Sequence, residues 1–271
     1  MHERPTEKKI FSLRKFLSSL NVTLPEGMPS PSDLQDALNQ LNKKLNGQVL
    51  QLAILRSLSQ AKYELRNAGH YGLNFVMYTH FTSPIRRYPD LVTHRLIKSV
   101  IYSARTTDLV KRFGKNTCID QSSSSNGLDI IAEHCSFAER RAERAVFEVL
   151  EWMKCDYIAG EIGKTADGII THVTSFGFFV HLSESHVEGM VHISNLINDY
   201  YHFDQDLQCL VGEHTGIIFG IGDNVSVKIV SVNPDERRID FEVMSHDPLT
   251  RRVSAKRHFQ NKYRRYKGKR K

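Results

Sequence analysis

The hydrophobic pattern of the chain changes period once, near residue 158, and the change predicts two kinds of architecture. Before it, apolar positions recur at helical spacing. Leu34, Leu38, Leu41 and Leu45 mark one helix, with Ser32 as its cap and Gln35 three residues on in the capping-box position. Asn46-Gly47 breaks the pattern, and Leu50, Ile54, Leu58 and Ala61 mark a second helix. Residues 1–31 mix polar and apolar side chains and end in the turn-rich Pro25-Glu26-Gly27-Met28-Pro29-Ser30-Pro31, so no element is assigned there. Residues 105–127 contain the polar run Gln121-Ser122-Ser123-Ser124-Ser125-Asn126-Gly127, a surface loop. A long helix comes next, from about Leu128 to Tyr157. Ala138, Ala142, Val146 and Val149 are its expected packed face, and Glu139, Arg140, Arg141, Glu143, Arg144 and Glu148 its solvated one.

Beyond Ile158 the apolar residues alternate. Strands are predicted at 168–173, 177–182, 190–193, 225–230 and 238–243, with one long connection at roughly 196–222. Five short strands of this kind predict a small barrel. The fold class is therefore α+β and multidomain: a mostly helical segment over 1–157, a five-stranded antiparallel β-barrel of the OB-fold over 158–245, and a basic disordered tail over 246–271.

Composition narrows the function. No apolar run approaches the roughly 18 residues that span a bilayer, and Met1-His2-Glu3-Arg4-Pro5 has no apolar h-region, so neither a membrane nor a secretory role is expected. Cys118, Cys135, Cys155 and Cys209 are scattered and form no Cys-x-x-Cys pair, which argues against a zinc site and for a cytoplasmic location with reduced thiols. The net charge of +7 is uneven: residues 251–271 hold 11 Lys/Arg and no acid, while the remaining 250 carry 26 basic against 30 acidic side chains. With Phe259, Tyr263 and Tyr266 among its cations, the tail reads either as an arm attracted to polyanions or as a solubilising end.

The barrel segment resembles an RNA-binding domain of the ribosomal-protein S-one type. The resemblance is carried by Gly168-Ile169-Ile170-Thr171-His172-Val173, Phe176-Gly177-Phe178-Phe179-Val180, Glu188-Gly189-Met190-Val191-His192-Ile193-Ser194, Gly222-Asp223 and Arg237-Arg238-Ile239, in that order. In that family's pattern the exposed aromatics correspond to Phe176 and Phe179, the histidine to His192 and a late cation to Arg237, so these four are expected to contact RNA. Unstacked bases of a single strand find aromatic faces favourable, at about 1–3 kcal/mol each. Asn233 stands where the family often has an acid. From the residues alone, one of Phe176, Phe178 and Phe179 must face the core, and which one stays open.

A second dense block runs from His70-Tyr71-Gly72-Leu73 through Tyr78-Thr79-His80-Phe81-Thr82-Ser83-Pro84-Ile85-Arg86-Arg87-Tyr88-Pro89-Asp90 to His94. Thr82 and Ser83 are placed to cap a helix just after them, Pro84 suits its first turn, and Asp90, Val92, Leu96, Ile97, Val100 and Ile101 describe an amphipathic helix. Two guanidinium groups at the mouth of that helix suit either a phosphate or a structural salt bridge. The block resembles the signature of the ribonuclease II/R catalytic (RNB) domain. His134-Cys135-Ser136-Phe137-Ala138-Glu139-Arg140-Arg141-Ala142, Trp152-Met153-Lys154-Cys155-Asp156 and Asn198-Asp199-Tyr200-Tyr201-His202-Phe203-Asp204-Gln205 resemble the ribonuclease R branch of that family.

The resemblance implies a 3′–5′ exoribonuclease that hydrolyses RNA, structured RNA included, to nucleoside 5′-monophosphates with Mg²⁺. Arg86 would stabilise charge at the scissile phosphate, and Arg87 and Tyr88 would bind RNA or brace the loop. The long helix supplies a site glutamate in some relatives; whether Glu139 or Glu143 corresponds to it stays open, and neither is assigned to the site. Two-metal hydrolysis needs a carboxylate cluster, which the family takes from an aspartate-rich motif upstream of the arginines. Before Arg86 the chain has only Asp33 and Asp36 among aspartates, and Asp204, Asp206, Glu184 and Glu188 are loop acids that do not match that motif. The Mg²⁺ ligands are thus expected outside the chain, which would not cut RNA alone. RNA, as single-stranded 3′ ends or structured molecules, is the expected partner, with the ribosome or other RNA-decay factors as further candidates. A non-catalytic single-stranded-RNA-binding module is the competing reading. A third is that residues 1–157 lack sheet partners and do not fold cooperatively.

Overall fold

A computed structural model of the chain describes residues 1–104, 125–196 and 198–248. The polar run as far as Ser124 and the basic tail from Leu249 onward lie outside the described residues. Two compact units are present: Met1–Arg4 with Ser59–Val146, and Pro5–Leu58 with the chain from Phe147 onward.

The second unit begins with three helices. Helix α1 (Glu7–Ser19) buries Ile10, Leu13, Phe16 and Leu17, an i, i+3, i+6, i+7 stripe. It falls in the stretch where the sequence pattern assigned nothing, because Lys8, Lys9, Arg14 and Lys15 dilute its apolar content. Helix α2 (Pro31–Asn42) is capped by Ser30, not by Ser32. The Ser30 hydroxyl accepts from the Asp33 N–H at 3.2 Å, and the Ser30 N–H donates to the Asp33 carboxylate at 2.7 Å. Pro31 decides the matter: it lacks an N–H and its fixed φ suits the first helical position, so the cap must precede it. Leu34, Ala37 and Leu41 are buried, whereas Leu45 is exposed.

Helix α3 (Gly47–Ser57) is entered through Asn46, whose φ of 55° turns the chain sharply. A side chain at Gly47 would sit 2.3 Å from the Leu41 carbonyl oxygen, so the two helices approach too closely there for any other residue. Leu50 and Ile54 are buried, but the helix stops at Ser57 and Ala61 is exposed, so the apolar stripe ends a turn earlier than expected. The Asn46 side-chain amide donates to the Gly222 carbonyl at 2.8 Å and to the Asn224 side chain at 2.7 Å, and Arg56 donates to the Thr171 carbonyl at 2.9 Å. These bonds fasten the helices to the barrel.

The barrel closes in the order β1 (Thr165–Thr174), β2 (Gly177–Leu182), β3 (Glu188–His192), β8 (Arg238–Asp247), β7 (Asn224–Asn233). Four of its seams are antiparallel and one, β3 with β8, is parallel, meeting at Met190 and Asp240. An odd number of strands cannot alternate direction all the way round, so the antiparallel barrel expected from sequence must contain one such seam. Ile170, Val173, Phe178, Val180, Val191, Val225, Val227, Ile229, Ile239 and Phe241 fill the interior. The connection at 196–222 is not a plain loop. It holds a three-stranded antiparallel sheet of β4 (Tyr201–Asp204), β5 (Cys209–Gly212) and β6 (Ile218–Gly220). These strands escape a search for alternation because β5 and β6 are buried at every position. Phe219 of β6 stacks on Phe178 at 5.0 Å, joining the small sheet to the barrel core.

The first unit contains helix α4 (Tyr88–Ala104) and much of helix α5 (Ser125–Ile158). His2 is buried in it, with Nδ1 accepting from the Gly72 N–H at 2.8 Å. Ala138, Ala142, Val146 and Val149, expected to pack, are all exposed on α5, whose last turns instead bury Cys155 and Ile158. No described helix is long and apolar enough to cross a membrane.

Truncating Phe178 to alanine is expected to cost about 3–5 kcal/mol of barrel stability, while Phe176→Ala, at a half-exposed ring, should stay within about 0.5 kcal/mol. Urea denaturation of both variants checks this contrast.

Candidate nucleic-acid interface

Period-two alternation along β2 and β3 sorts the candidate residues into faces. Phe178 is the aromatic that faces inward, with 0% of its surface exposed. Phe179 and His181 lie on the outer face of β2, and Glu188, Met190 and His192 on that of β3. Phe176 precedes the strand and is 47% exposed. The turn between them needs Gly177, whose φ is 152° and whose absent Cβ would lie 2.1 Å from the Val191 carbonyl oxygen.

Register brings these side chains together. Gly177 stands opposite His192 and Phe179 opposite Met190, while on the other side Phe179 stands opposite His172 and stacks on its ring at 6.1 Å. The Phe176 carbonyl accepts from the Ile193 N–H at 2.9 Å, which holds Phe176 beside the end of β3. His192 is fixed by Ser194, whose N–H donates to its Nδ1 at 3.2 Å and whose Oγ lies 2.7 Å away. An accepting Nδ1 leaves the ring proton on Nε2.

Arg237 is not part of this cluster. It sits in the turn before β8 with φ of 53°, and the β3–β8 register puts it toward the Val187 end of the face, away from His192. Its guanidinium lies 3.5 Å from Glu148, both groups being 44% exposed, a contact that solvent weakens strongly. Asn233, in the place of the family's acid, accepts from the N–H groups of Asp235 and Glu236 at 3.1 and 3.2 Å. Its side chain shapes the turn that presents Arg237.

In the first unit the arginine pair divides its labour. The expected cap at Thr82 and Ser83 is not formed, and Pro84 is not in a helix. Residues 84–86 form a turn, and α4 begins at Tyr88 with Pro89 in its first turn. The organising group is Asp90, fully buried, whose carboxylate accepts from the Ser83 N–H and from Arg87 Nη2, each at 2.8 Å. Burial alone would push the Asp90 carboxyl up, but the Ser83 N–H and Arg87 outweigh it and hold it below the usual carboxylate range. Arg87 thus takes the structural role. Arg86 is exposed at the end of the turn, and its guanidinium makes no hydrogen bond or ion pair among the described residues. Tyr88 is also half-exposed. His94 ties α4 to the loop, with Nε2 2.8 Å from the Phe81 carbonyl and its ring stacked on Phe81 at 4.1 Å.

Beside this loop lies a cleft lined by Tyr63, His70, His80, Glu139, Arg140 and Glu143. Both glutamates left open by the sequence therefore face the same cleft. Tyr63 and His80 are in contact at 3.1 Å, and burial followed by Glu139 pushes the Tyr63 hydroxyl up to about 12. Asp90 was missed as a site residue, although its i+3 spacing from Arg87 was a usable signal. Nothing in the sequence pointed to Tyr63. No three His, Cys, Asp or Glu side chains come together in a way that could hold a metal ion among the described residues.

Residues 1–103 match the RNB domain family and residues 160–244 the S1 RNA binding domain family. The chain thus joins RNB-domain sequence to an S1-type RNA-binding barrel. The chain is similar to ribonuclease R proteins across most of its own length. It is 44% identical to ribonuclease R of Vibrio cholerae, over 90% of this chain and 30% of that protein. Identity to ribonuclease R of Escherichia coli K12 is 40%, over 93% of this chain and 31% of the other. A solved structure of Mycoplasma genitalium RNase R in complex with ribose methylated single-stranded RNA superposes with a TM-score of 0.76 at 27% identity, covering 90% of this chain and 37% of the other. The chain therefore spans about three-tenths of the length of the curated relatives it matches.

Removing the Arg87 side chain leaves the Asp90 carboxylate buried without its cation, which is expected to cost about 3–5 kcal/mol. Arg86→Ala should stay within about 0.5 kcal/mol, and chemical denaturation of the two variants separates the roles. Because the folded Asp90 titrates below its ordinary value of about 3.9, its contribution is fully present above that pH and is lost as pH falls through the lower folded value. Asp90→Asn should remove that part of the acid dependence, as followed by the Ser83 amide resonance.

Proposed function

We propose that this chain is the RNA-gripping part of a 3′–5′ exoribonuclease of the ribonuclease R type, one that releases nucleoside 5′-monophosphates and works on structured RNA. The observation that carries this reading is the division between the two arginines. Arg87 is committed to Asp90, so Arg86 stands at the end of a braced turn with its guanidinium unengaged among the described residues. A preorganised guanidinium there would stabilise the charge that develops on the scissile phosphate. On the barrel, Phe176, Phe179 and His192 would stack successive bases, with Arg237 as a phosphate contact further along the face. Tyr88, exposed beside Arg86, is a secondary RNA contact, and Arg87 acts through Asp90 rather than on RNA. The family's divalent metal would be held by carboxylates that the described residues do not gather. Alone, then, the chain binds RNA without shortening it, and its site of action is the cytoplasm.

A second reading is a single-stranded-RNA-binding module without catalysis, favoured by the completeness of the stacking face. The two part company at Arg86. When this chain is joined to an RNB segment that carries the carboxylates, Arg86→Ala should slow Mg²⁺-dependent shortening of labelled RNA by about 100- to 1,000-fold. An unchanged rate would favour the module. For the purified chain, Phe179→Ala should weaken single-stranded-RNA binding by about 1–3 kcal/mol, measured by fluorescence anisotropy. Stepwise products from the purified chain alone would overturn the claim that it does not cut by itself.

A further inference from the structure

Where α1 and α3 meet β1, within the barrel's own unit, lies an open cavity of about 250 Å³. Lys8, Lys9, Arg56, His172, Gln205 and Gln208 line it, and no Asp or Glu does among the described residues. That is unusual for this molecule, since residues 1–250 carry more acids than bases. The cations come from distant parts of the sequence and are held in place. Arg56 donates one N–H to the Thr171 carbonyl at 2.9 Å, which sets its guanidinium beside His172 and leaves other donors of the fork. Lys9 is steadied by the Leu58 carbonyl at 3.2 Å, and Lys8 is exposed. Burial, then Arg56, hold the His172 imidazolium below its usual range, so the charge at neutral pH comes from the two lysines and the arginine. His172 is also the ring on which Phe179 stacks, so the cavity adjoins the outer face of the barrel.

We propose that this cavity binds a phosphodiester group of single-stranded RNA, next to the nucleotide whose base stacks on Phe179. The helices α1 and α3 thereby extend the RNA track beyond the S1 barrel. Two flexible ammonium groups and an anchored guanidinium, with no facing carboxylate, suit a backbone phosphate of any sequence. The glutamine amides add neutral donors. The proposal rests on the RNA-binding reading above.

The test is the salt dependence of binding by the full chain, using fluorescein-labelled oligouridylate. Each phosphate contact on a single strand contributes about 0.7 to the slope of log K against log[salt]. The Lys8→Ala/Lys9→Ala variant should therefore lower the slope by about 0.7 for one lost contact and by about 1.4 for two. Lys43→Ala/Lys44→Ala, an equal change in charge outside the cavity, should leave it unchanged, and so should Phe179→Ala, which acts through stacking. The tail is common to all variants and cancels. If the two lysine pairs lower the slope equally, the attraction is diffuse and the cavity is no site. An unchanged slope for Lys8→Ala/Lys9→Ala overturns the proposal while Phe179→Ala still weakens binding. If the parent chain binds no RNA at all, the underlying reading fails instead.

Discussion

The burial of Phe178 sets the side of β2 that faces outward, and the rest of the barrel's chemistry depends on it. A strand has only two faces, and a slip of one residue exchanges them. With the Phe178 ring in the core against Phe219, Phe179 must point out beside His172 and opposite Met190. Gly177 has the matching constraint: at φ of 152° and against the Val191 carbonyl, no side chain fits, so Phe176 is the last aromatic before the strand and remains at the surface. Core packing and surface display are therefore one decision, taken by an apolar ring that contacts no ligand itself.

A parallel economy operates in the arginine loop. A buried carboxylate is costly unless it is paired and hydrogen-bonded, and Asp90 meets that demand through one oxygen, Oδ2, which takes both Ser83 and Arg87. In doing so it consumes one arginine of an adjacent pair and stiffens the turn that carries the other. Of the two options left open for the pair, phosphate or salt bridge, the salt bridge falls to Arg87, and only its contact to a carboxylate further along the chain separates it from Arg86. Arg86 and Arg87 are indistinguishable by residue type. Asp90 makes them different.

Much of the barrel was legible because alternation over 168–182 and 225–243 is a direct image of strand geometry. What was not legible has specific causes. Helix α1 hid behind its lysines. The cap of α2 moved from Ser32 to Ser30 because Pro31 fixes the first helical residue. Strands β5 and β6 are buried on both sides, so they show no alternation. On α5, an Ala/Val stripe has helical spacing, yet Ala138, Ala142, Val146 and Val149 are all exposed, since a periodic stripe reports capacity to pack and not what is packed against it. Among the candidate site residues, the register sets Phe176, Phe179 and His192 near one another, although from the residues alone it stayed open which phenylalanine faces the core. The separation of Arg237 needed the parallel register of β3 with β8.

The barrel's closure has a consequence for how the chain is made. β1 is complete at Thr174, yet one of its two edges is covered only by β7, with Thr165 paired to Lys228. During synthesis from the N-terminus, β1, β2 and β3 emerge first, and the free edge of β1 stays open while the whole β4–β6 excursion is added. An open edge is a template for pairing with another chain, and contacts this far apart in sequence form slowly. The nascent barrel is therefore most vulnerable to aggregation over the interval in which residues 175–223 leave the ribosome, and it becomes safe only when the last strands arrive.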